Sequence, residues 1–320
     1  MRRYHPQTTV VQQLAPGFVL LLTPESFDNF TAPWRQRLPI YLHHVFPVQA
    51  TVPLETIPSD LNRLKQAVQP LASPHAIVQL RSATEVDLPY SLTEIQYTLN
   101  EKQPAYSADK PIGRILSILI APRIAPQTTG LQAYIGVSWA TENLSPWAGG
   151  QIPITECVPN RAGFKLLEAL HAFDIRLRQG DHALDLGAAP GAWTTLLRRR
   201  GVLVTAVAPS PLYPWLLFDN NVRYQPLRAE DFLAQCQATY DLIVNDMKLD
   251  AQESARLMVR YATHLRSQGI AIMTVKLRDR NRQRVLDHSF RILRKAYKII
   301  RVRQLVSNRQ EVTLFLRRKS

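Results

Sequence analysis

The stretch Asp185-Leu-Gly-Ala-Ala-Pro-Gly-Ala-Trp193 decides the fold. It completes a short apolar strand that begins at His182, turns on small residues, and passes into a helical pattern from Trp193 to Arg200. Strand, tight turn and helix in direct succession form half of a βαβ unit. Small residues let backbone approach a ligand, and Gly accepts dihedrals closed to other residues. Such a loop lies at the carboxyl end of its strand, where open α/β sheets bind ligands.

Working outward, Asn160 caps a helix to about Phe173, with Phe164, Leu167 and Leu170 on one face. Further strands are expected at 202–208, 222–225, 240–245, 270–277, 298–305 and 311–317. Helices are expected at about 250–267, stopped by Gly269, and at 281–296. The last two strands are close enough for an antiparallel hairpin. Strands alternating with helices predict a mostly parallel sheet covered on both faces. Closed by a hairpin, this is an α/β, class I (Rossmann-like) methyltransferase plan with a seven-stranded sheet.

The loop is not the G-x-G-x-x-G of dinucleotide enzymes, and Pro190 lacks the N–H that a pyrophosphate would use. No Gly-Lys-Ser/Thr follows, so it is not a phosphate loop of the Walker type. S-adenosylmethionine, a sulfonium with an amino acid tail and no phosphate, suits it better. The cofactor-binding candidates are Asp185, Gly187, Ala189, Pro190, Gly191, Ala192 and Trp193.

The loop resembles that of FtsJ/RrmJ-type ribose 2′-O-methyltransferases, with Ala192 where that family usually has a second Gly. Four more segments share the resemblance: Asn160-Arg-Ala-Gly-Phe-Lys-Leu-Leu-Glu168, Asn245-Asp-Met247, Val275-Lys-Leu277 and Gln310-Glu-Val312. It covers 160–318 and implies a catalytic tetrad of Lys165, Asp246, Lys276 and Glu311. A ribose hydroxyl is a weak nucleophile at neutral pH, so a base must take its proton. Lys276 is the expected base, with Lys165 nearby to lower its pKa. Asp246 is expected to orient the amine beside the transferred methyl, and Glu311 to hold Lys165 or the hydroxyl. Read singly, these are solvated lysines, a turn cap and an exposed strand charge; it is their joint placement that points to chemistry. The resemblance also implies that Asp231 contacts the cofactor adenine, with Glu230 as alternative. It departs at Ala208, where the family has an acidic residue for the cofactor ribose; Ser210 or backbone would have to compensate.

Neighbouring chemistries fit less well. Asn245-Asp-Met-Lys248 is not the Asn/Asp-Pro-Pro-Tyr/Phe of amino methylation. Neither Cys157 nor Cys236 follows the fourth or fifth strand, where carbon-5 methylation would need a nucleophile. His43-His44 has no adjacent carboxylate or Cys, so no metal is expected. Two cysteines make no disulfide framework, and a reducing cytoplasm fits.

Charge separates the chain into two parts. Its 320 residues carry 39 Lys+Arg against 25 Asp+Glu, a net of +14. Residues 1–150 hold 11 and 10 of these, and residues 151–320 hold 28 and 15. Such an excess points to a polyanion. Arg278, Arg280, Arg282 and Arg284 follow Lys276 directly and would contact phosphates. The expected domains are 1–150, with a division at 70/71, and 151–320. Strands at 18–22, 40–46, 76–81, 115–121 and 131–138, with helices near 59–69 and 91–101, give the first domain an α+β pattern. Its order, with Tyr134-Ile-Gly-Val-Ser138 before Asn143-Leu-Ser-Pro-Trp147, is similar to RlmM-type ribosomal RNA methyltransferases. That resemblance implies a ferredoxin-like/THUMP-like RNA-binding region, with Arg81, Lys110, Arg114 and Arg123 as a local patch, and large-subunit (23S) rRNA as substrate. A scaffold or dimerisation domain is the alternative. For the whole chain, the alternatives are a tRNA or mRNA substrate, or a catalytically idle RNA-binding or ribosome-assembly factor.

Overall fold

The computed structural model describes residues 7–36, 38–55, 59–71, 76–83, 91–99, 113–123, 130–144, 158–277 and 281–319. Lys110, Cys157, Arg278, Arg280 and residues 145–157 lie outside them. The chain divides into two compact units, Met1–Pro153 and Ile154–Ser320.

In the first unit, β1 (Thr9–Ala15) and β2 (Phe18–Leu22) pair as an antiparallel hairpin, and α1 (Phe27–Gln36) follows. Next come β3 (Ala50–Leu54), α2 (Ser59–Val68), β4 (Ala76–Ser82), α3 (Leu92–Leu99), β5 (Arg114–Pro122) and β6 (Leu131–Trp139). The sheet order is β3-β6-β5-β4, with only β4 and β5 parallel. A division at 70/71 would cut this sheet, because β3 precedes it and its partner β6 follows. Alternation along β5 sends Leu116, Ile118 and Ile120 to one face, where they pack with Val52, Leu64, Val78, Ile95 and Ile135. The strand expected at 40–46 does not form. That segment runs between Pro39 and Pro47 without ladder pairing, and Leu42, Val45 and Phe46 are spent on packing. It lies so close to β6 that a Cβ on Gly136 would sit 1.7 Å from the Pro47 carbonyl oxygen.

The second unit runs α4 (Arg161–Ala172), β7 (His182–Leu186), α5 (Ala192–Arg199), β8 (Leu203–Val207), α6 (Pro214–Leu217), β9 (Val222–Gln225), α7 (Ala229–Gln235), β10 (Tyr240–Asn245), α8 (Ala251–Tyr261), β11 (Leu265–Lys276), α9 (Arg282–Leu293), β12 (Tyr297–Arg303) and β13 (Glu311–Arg318). They build the expected α/β sheet of seven strands, ordered β12-β13-β11-β10-β7-β8-β9. Neighbours from β11 through β9 are parallel, while β13 runs antiparallel to both β11 and β12. Buried Leu166, Leu170, Trp193, Leu196, Val204, Val244 and Ile272 belong to its core.

The helix expected to reach 267 ends at Tyr261, and β11 begins at Leu265 rather than 270. Gly269 is therefore inside a strand. Leu265 pairs with Tyr240 and Ile270 with Leu242, so five steps of β11 face two of β10. The surplus forms a bulge with Gln268 at φ 64. A Cβ on Gly269 would lie 2.9 Å from the Arg266 carbonyl oxygen, so glycine here permits a bulge rather than ending a helix.

Candidate active site

The chain leaves β7 toward β8 and β9, then returns to β10 on the other side of β7. This reversal is a topological switch point, the place where open α/β sheets bind ligands beyond the carboxyl ends of their strands. The glycine loop leaves β7 there. Gly187 (φ 78) and Gly191 (φ 115) adopt left-handed backbone. A Cβ on Gly187 would lie 2.6 Å from Met247 Cγ, and one on Gly191 would lie 2.3 Å from Leu216 Cδ1. Both glycines are thus demanded by the protein's own neighbours as well as by backbone conformation. The Ala189–Pro190 bond is cis, and the Pro190 carbonyl accepts from Tyr213 N at 2.7 Å.

Three loop candidates face inward. Trp193 is buried and donates Nε1–H to the Ala162 carbonyl at 2.7 Å, tying α5 to α4. Ala192 beside it is buried. Asp185 is 2% exposed and accepts from Thr194 Oγ1 at 2.7 Å. Burial first, and then the charge of Asp246, push its pKa up to about 7, against the Thr194 bond. The side chains at 185, 192 and 193 are thus buried, and those of Asp185 and Trp193 bond within the protein. Ala189 and Pro190 remain partly open, and Asp231 is exposed on the first turn of α7. At Ala208 the backbone N–H bonds Gln225 O, and the carbonyl accepts from Tyr224 Oη with one lone pair still available to stand in for the missing acid. The exposed Ser210 hydroxyl is the other local substitute.

The tetrad residues do come together. Lys165 stands on α4, whose N-terminus Asn160 caps by accepting from Ala162 N. Asp246 follows β10, in a turn held by Asn245: its Oδ1 accepts from Met247 N, and its Nδ2 donates to Ser254 Oγ. Lys276 ends β11, and Glu311 opens β13 directly opposite it in antiparallel register. Lys165 Nζ lies 3.2 Å from Asp246 Oδ2 and 2.5 Å from Glu311 Oε1. Lys276 Nζ lies 2.7 Å from Asp246 Oδ1 and also pairs with Glu311 Oε2. Each lysine therefore sits between the same two carboxylates, and the four formal charges sum to zero. Side-chain exposures of only 8 to 16% exclude the solvated-lysine reading.

One expectation is overturned. Lys165 does not depress the pKa of Lys276. Burial alone would lower it, but Asp246 and Glu311 outweigh burial and hold it above the ordinary lysine value. The resting Lys276 is an ammonium.

Two further residues belong to the site. Thr274 shares the face of β11 with Lys276; its hydroxyl donates to Asp246 Oδ1 at 2.6 Å and accepts from Lys276 Nζ at 3.0 Å. Glu168, buried on α4, accepts from Val306 N at 2.7 Å and Ser307 N at 2.8 Å. Arg161 Nη2 donates to Ser307 O at 3.0 Å. The helix carrying Lys165 thereby grips the turn that leads into Glu311. The two-residue spacing to Lys276 was a legible signal for Thr274, whereas Glu168 gave none, because its partners are backbone groups about 140 residues away in sequence.

The model of the family described as FtsJ-like methyltransferase matches residues 158–290, which include the glycine loop, Lys165, Asp246 and Lys276 but not Glu311. Proteins named ribosomal RNA large subunit methyltransferase M are similar to this chain. That of Halorhodospira halophila is 34% identical over 177 residues, covering 54% of this chain and 51% of its own. That of Azoarcus sp. is 30% identical over 229 residues, covering 68% and 60%. That of Pseudomonas putida (strain GB-1) is 33% identical over 234 residues, covering 67% and 64%. The chain thus spans about half to just under two thirds of the length of these curated relatives. Sheet order and loop agree with the match of the FtsJ-like methyltransferase model to residues 158–290.

Proposed function

We propose that this chain is an S-adenosylmethionine-dependent RNA ribose 2′-O-methyltransferase, acting on large-subunit (23S) rRNA in the cytoplasm. The observation that carries the reading is the closed Lys165–Asp246–Lys276–Glu311 ring beside the glycine loop at the switch point. The residues fit the cofactor. Loop backbone at 187–190, Asp231, exposed on the first turn of α7, and Asp246 would hold this cation with its amino acid tail. When bound, S-adenosylmethionine supplies an electrophilic methyl group.

The chain's own part is to bring a ribose hydroxyl in line and remove its proton. Lys165 and Glu311 offer a donor and an acceptor that orient the hydroxyl. A ribose entering the ring displaces one carboxylate contact of Lys276, which weakens the field that keeps Nζ protonated. Lys276 would first release its own proton to solvent, and the neutral amine would then take the proton of the ribose hydroxyl held beside it. Thr274 keeps Asp246 in place throughout. The nearly neutral first unit is assigned the recognition of the RNA segment, and the basic second unit the phosphate contacts.

The test is incubation of the chain with labelled cofactor and rRNA from a strain lacking the gene, followed by mapping of 2′-O-methyl groups. One modified ribose in large-subunit rRNA, absent with Lys276→Ala protein of unchanged circular dichroism, is the expected result. Methylation of a base, label confined to tRNA, or a wild-type rate in the variant would overturn the reading.

A further inference from the structure

Between β8 and β9 the chain carries an apolar ridge that the proposed methyl transfer leaves unused. Trp215 is 54% exposed, Leu217 47% and Phe218 85%, and Pro209, Pro211 and Pro214 beside them are exposed as well. No residue from 209 to 218 is charged. Single exposed apolar side chains are ordinary, but three within four residues mark an interaction site.

The ridge is fastened at its base. Tyr213 N donates to the Pro190 carbonyl at 2.7 Å, and the Asn160 amide donates to Tyr213 Oη at 2.9 Å. Leu216 is buried and packs over Gly191. The segment is thus tied both to the glycine loop and to the cap of α4. Lys165 follows that cap by five residues, about 7.5 Å along the helix axis, so the anchor lies close to the ring of charges. On this base the Tyr213 and Trp215 rings stack, with 4.4 Å between centroids and 12° between planes. Tyr213 covers one face of the indole, and the exposure of Trp215 leaves the other to solvent. The result is a flat aromatic surface held in place before any partner arrives.

We infer that Trp215 is a stacking platform for an unpaired base of the RNA, beside the ribose to be methylated, an inference that rests on the function proposed above. Leu217 and Phe218 widen the apolar surface around it. The chemistry favours a base over other occupants. Residues 151–320 hold 28 Lys+Arg against 15 Asp+Glu, so the partner of this unit is an anion. The uncharged ridge has to meet an uncharged, planar part of that anion. A nucleic acid strand offers both, phosphates for the cations and a π face for the open indole. A strand that delivers one ribose into the ring loses stacking at its neighbours, and an aromatic face restores it.

Fluorescence anisotropy of labelled strands titrated with the full chain is the test. The probes are a uridine hexamer and a ribose phosphate strand of the same length and charge without bases. Wild-type protein should bind the hexamer about tenfold more tightly than the baseless strand. Trp215→Ala should lose that margin while its affinity for the baseless strand changes by less than about twofold, and Trp215→Phe should keep most of it. In methyl transfer, Trp215→Ala should raise the KM for RNA about tenfold and leave kcat within about threefold. Equal weakening on both strands, or no margin in the wild type, would overturn the inference, because a structural defect makes no distinction between them. So would a wild-type dimer that Trp215→Ala renders monomeric, which assigns the ridge to a second copy. Binding to phosphatidylglycerol vesicles that the same variant abolishes assigns it to a lipid surface, with the same consequence. Wild-type protein that shows the margin but methylates no ribose would keep the platform and remove the methyltransferase reading. Methylation of rRNA with Trp215→Ala unaffected in binding and KM would do the reverse.

Discussion

At the residue scale, Asp185 and Lys276 show the same side-chain types driven away from their ordinary titration by different surroundings. Asp185 is an acid whose pKa rises to about 7 on folding from an ordinary value of 3.8. The folded state therefore holds a proton that the unfolded state releases, and stability from this group falls as pH rises from about 4 to 7. The shift caps the effect at about 4 kcal/mol. Asp185→Asn keeps an acceptor for Thr194 and removes the titration. Urea melts at pH 5 and pH 8 should differ less in the variant than in the wild type; an equal difference would remove the argument. The Lys276 pKa is raised as well, but by its two carboxylates and against burial. If its neutral amine is the base, the rate at saturating RNA should climb about tenfold per pH unit from 7 to 9, where the amine fraction is small. A flat profile over that range would move the proton acceptor to another group. Lys165→Ala leaves two buried carboxylates with one lysine, which should cost about 3–5 kcal/mol of stability, and in protein that still folds it should cut methyl transfer by about a hundredfold or more.

At the element scale, the site is the work of a hairpin as much as of the glycine loop. β12 and β13 place Glu311 at the carboxyl end of β11, and Glu168 fixes the turn between them to α4. Burial raises the Glu168 pKa, opposed by the Ser307 and Val306 N–H bonds and by the Arg303 charge. Glu168→Ala would strand two N–H groups and leave Arg303 without its acid, at a cost of about 2–5 kcal/mol. Glu168→Gln should retain more of the fold while still lowering kcat more than it raises KM. A loss confined to KM would mean that the turn serves RNA binding instead. The two unexpected element boundaries have equally local causes. Prolines at 39 and 47 deny the segment between them a strand ladder, and a bulge at 266–269 lets β11 start early.

At the scale of the whole molecule, two cores are built separately, one under the four-stranded sheet and one within the seven-stranded sheet. A fragment of residues 154–320 should therefore fold by itself, giving a cooperative melt; a molten fragment would show that the units need each other. The charge asymmetry belongs to this scale too. Arg282 and Arg284 are exposed on the first turn of α9, which Asn281 caps, within the helix expected at 281–296. RNA affinity should fall about a hundredfold or more between about 50 and 200 mM salt if the basic unit grips several phosphates. Salt-independent binding would leave the excess charge without that role.

The sequence by itself determined the α/β unit, the strand–loop–helix at 182–200, and the identity of the four charged residues. Those properties are local: period, small residues in a turn, and a few charges at element ends. The tertiary structure alone decided how the charges act. That Lys276 rests as an ammonium follows from two carboxylates brought from β10 and β13, and Coulomb fields depend on distance in space rather than in sequence. For the same reason the bonds of Asp185 to Thr194, of Trp193 to Ala162 and of Glu168 to a distant turn appeared only when the elements packed.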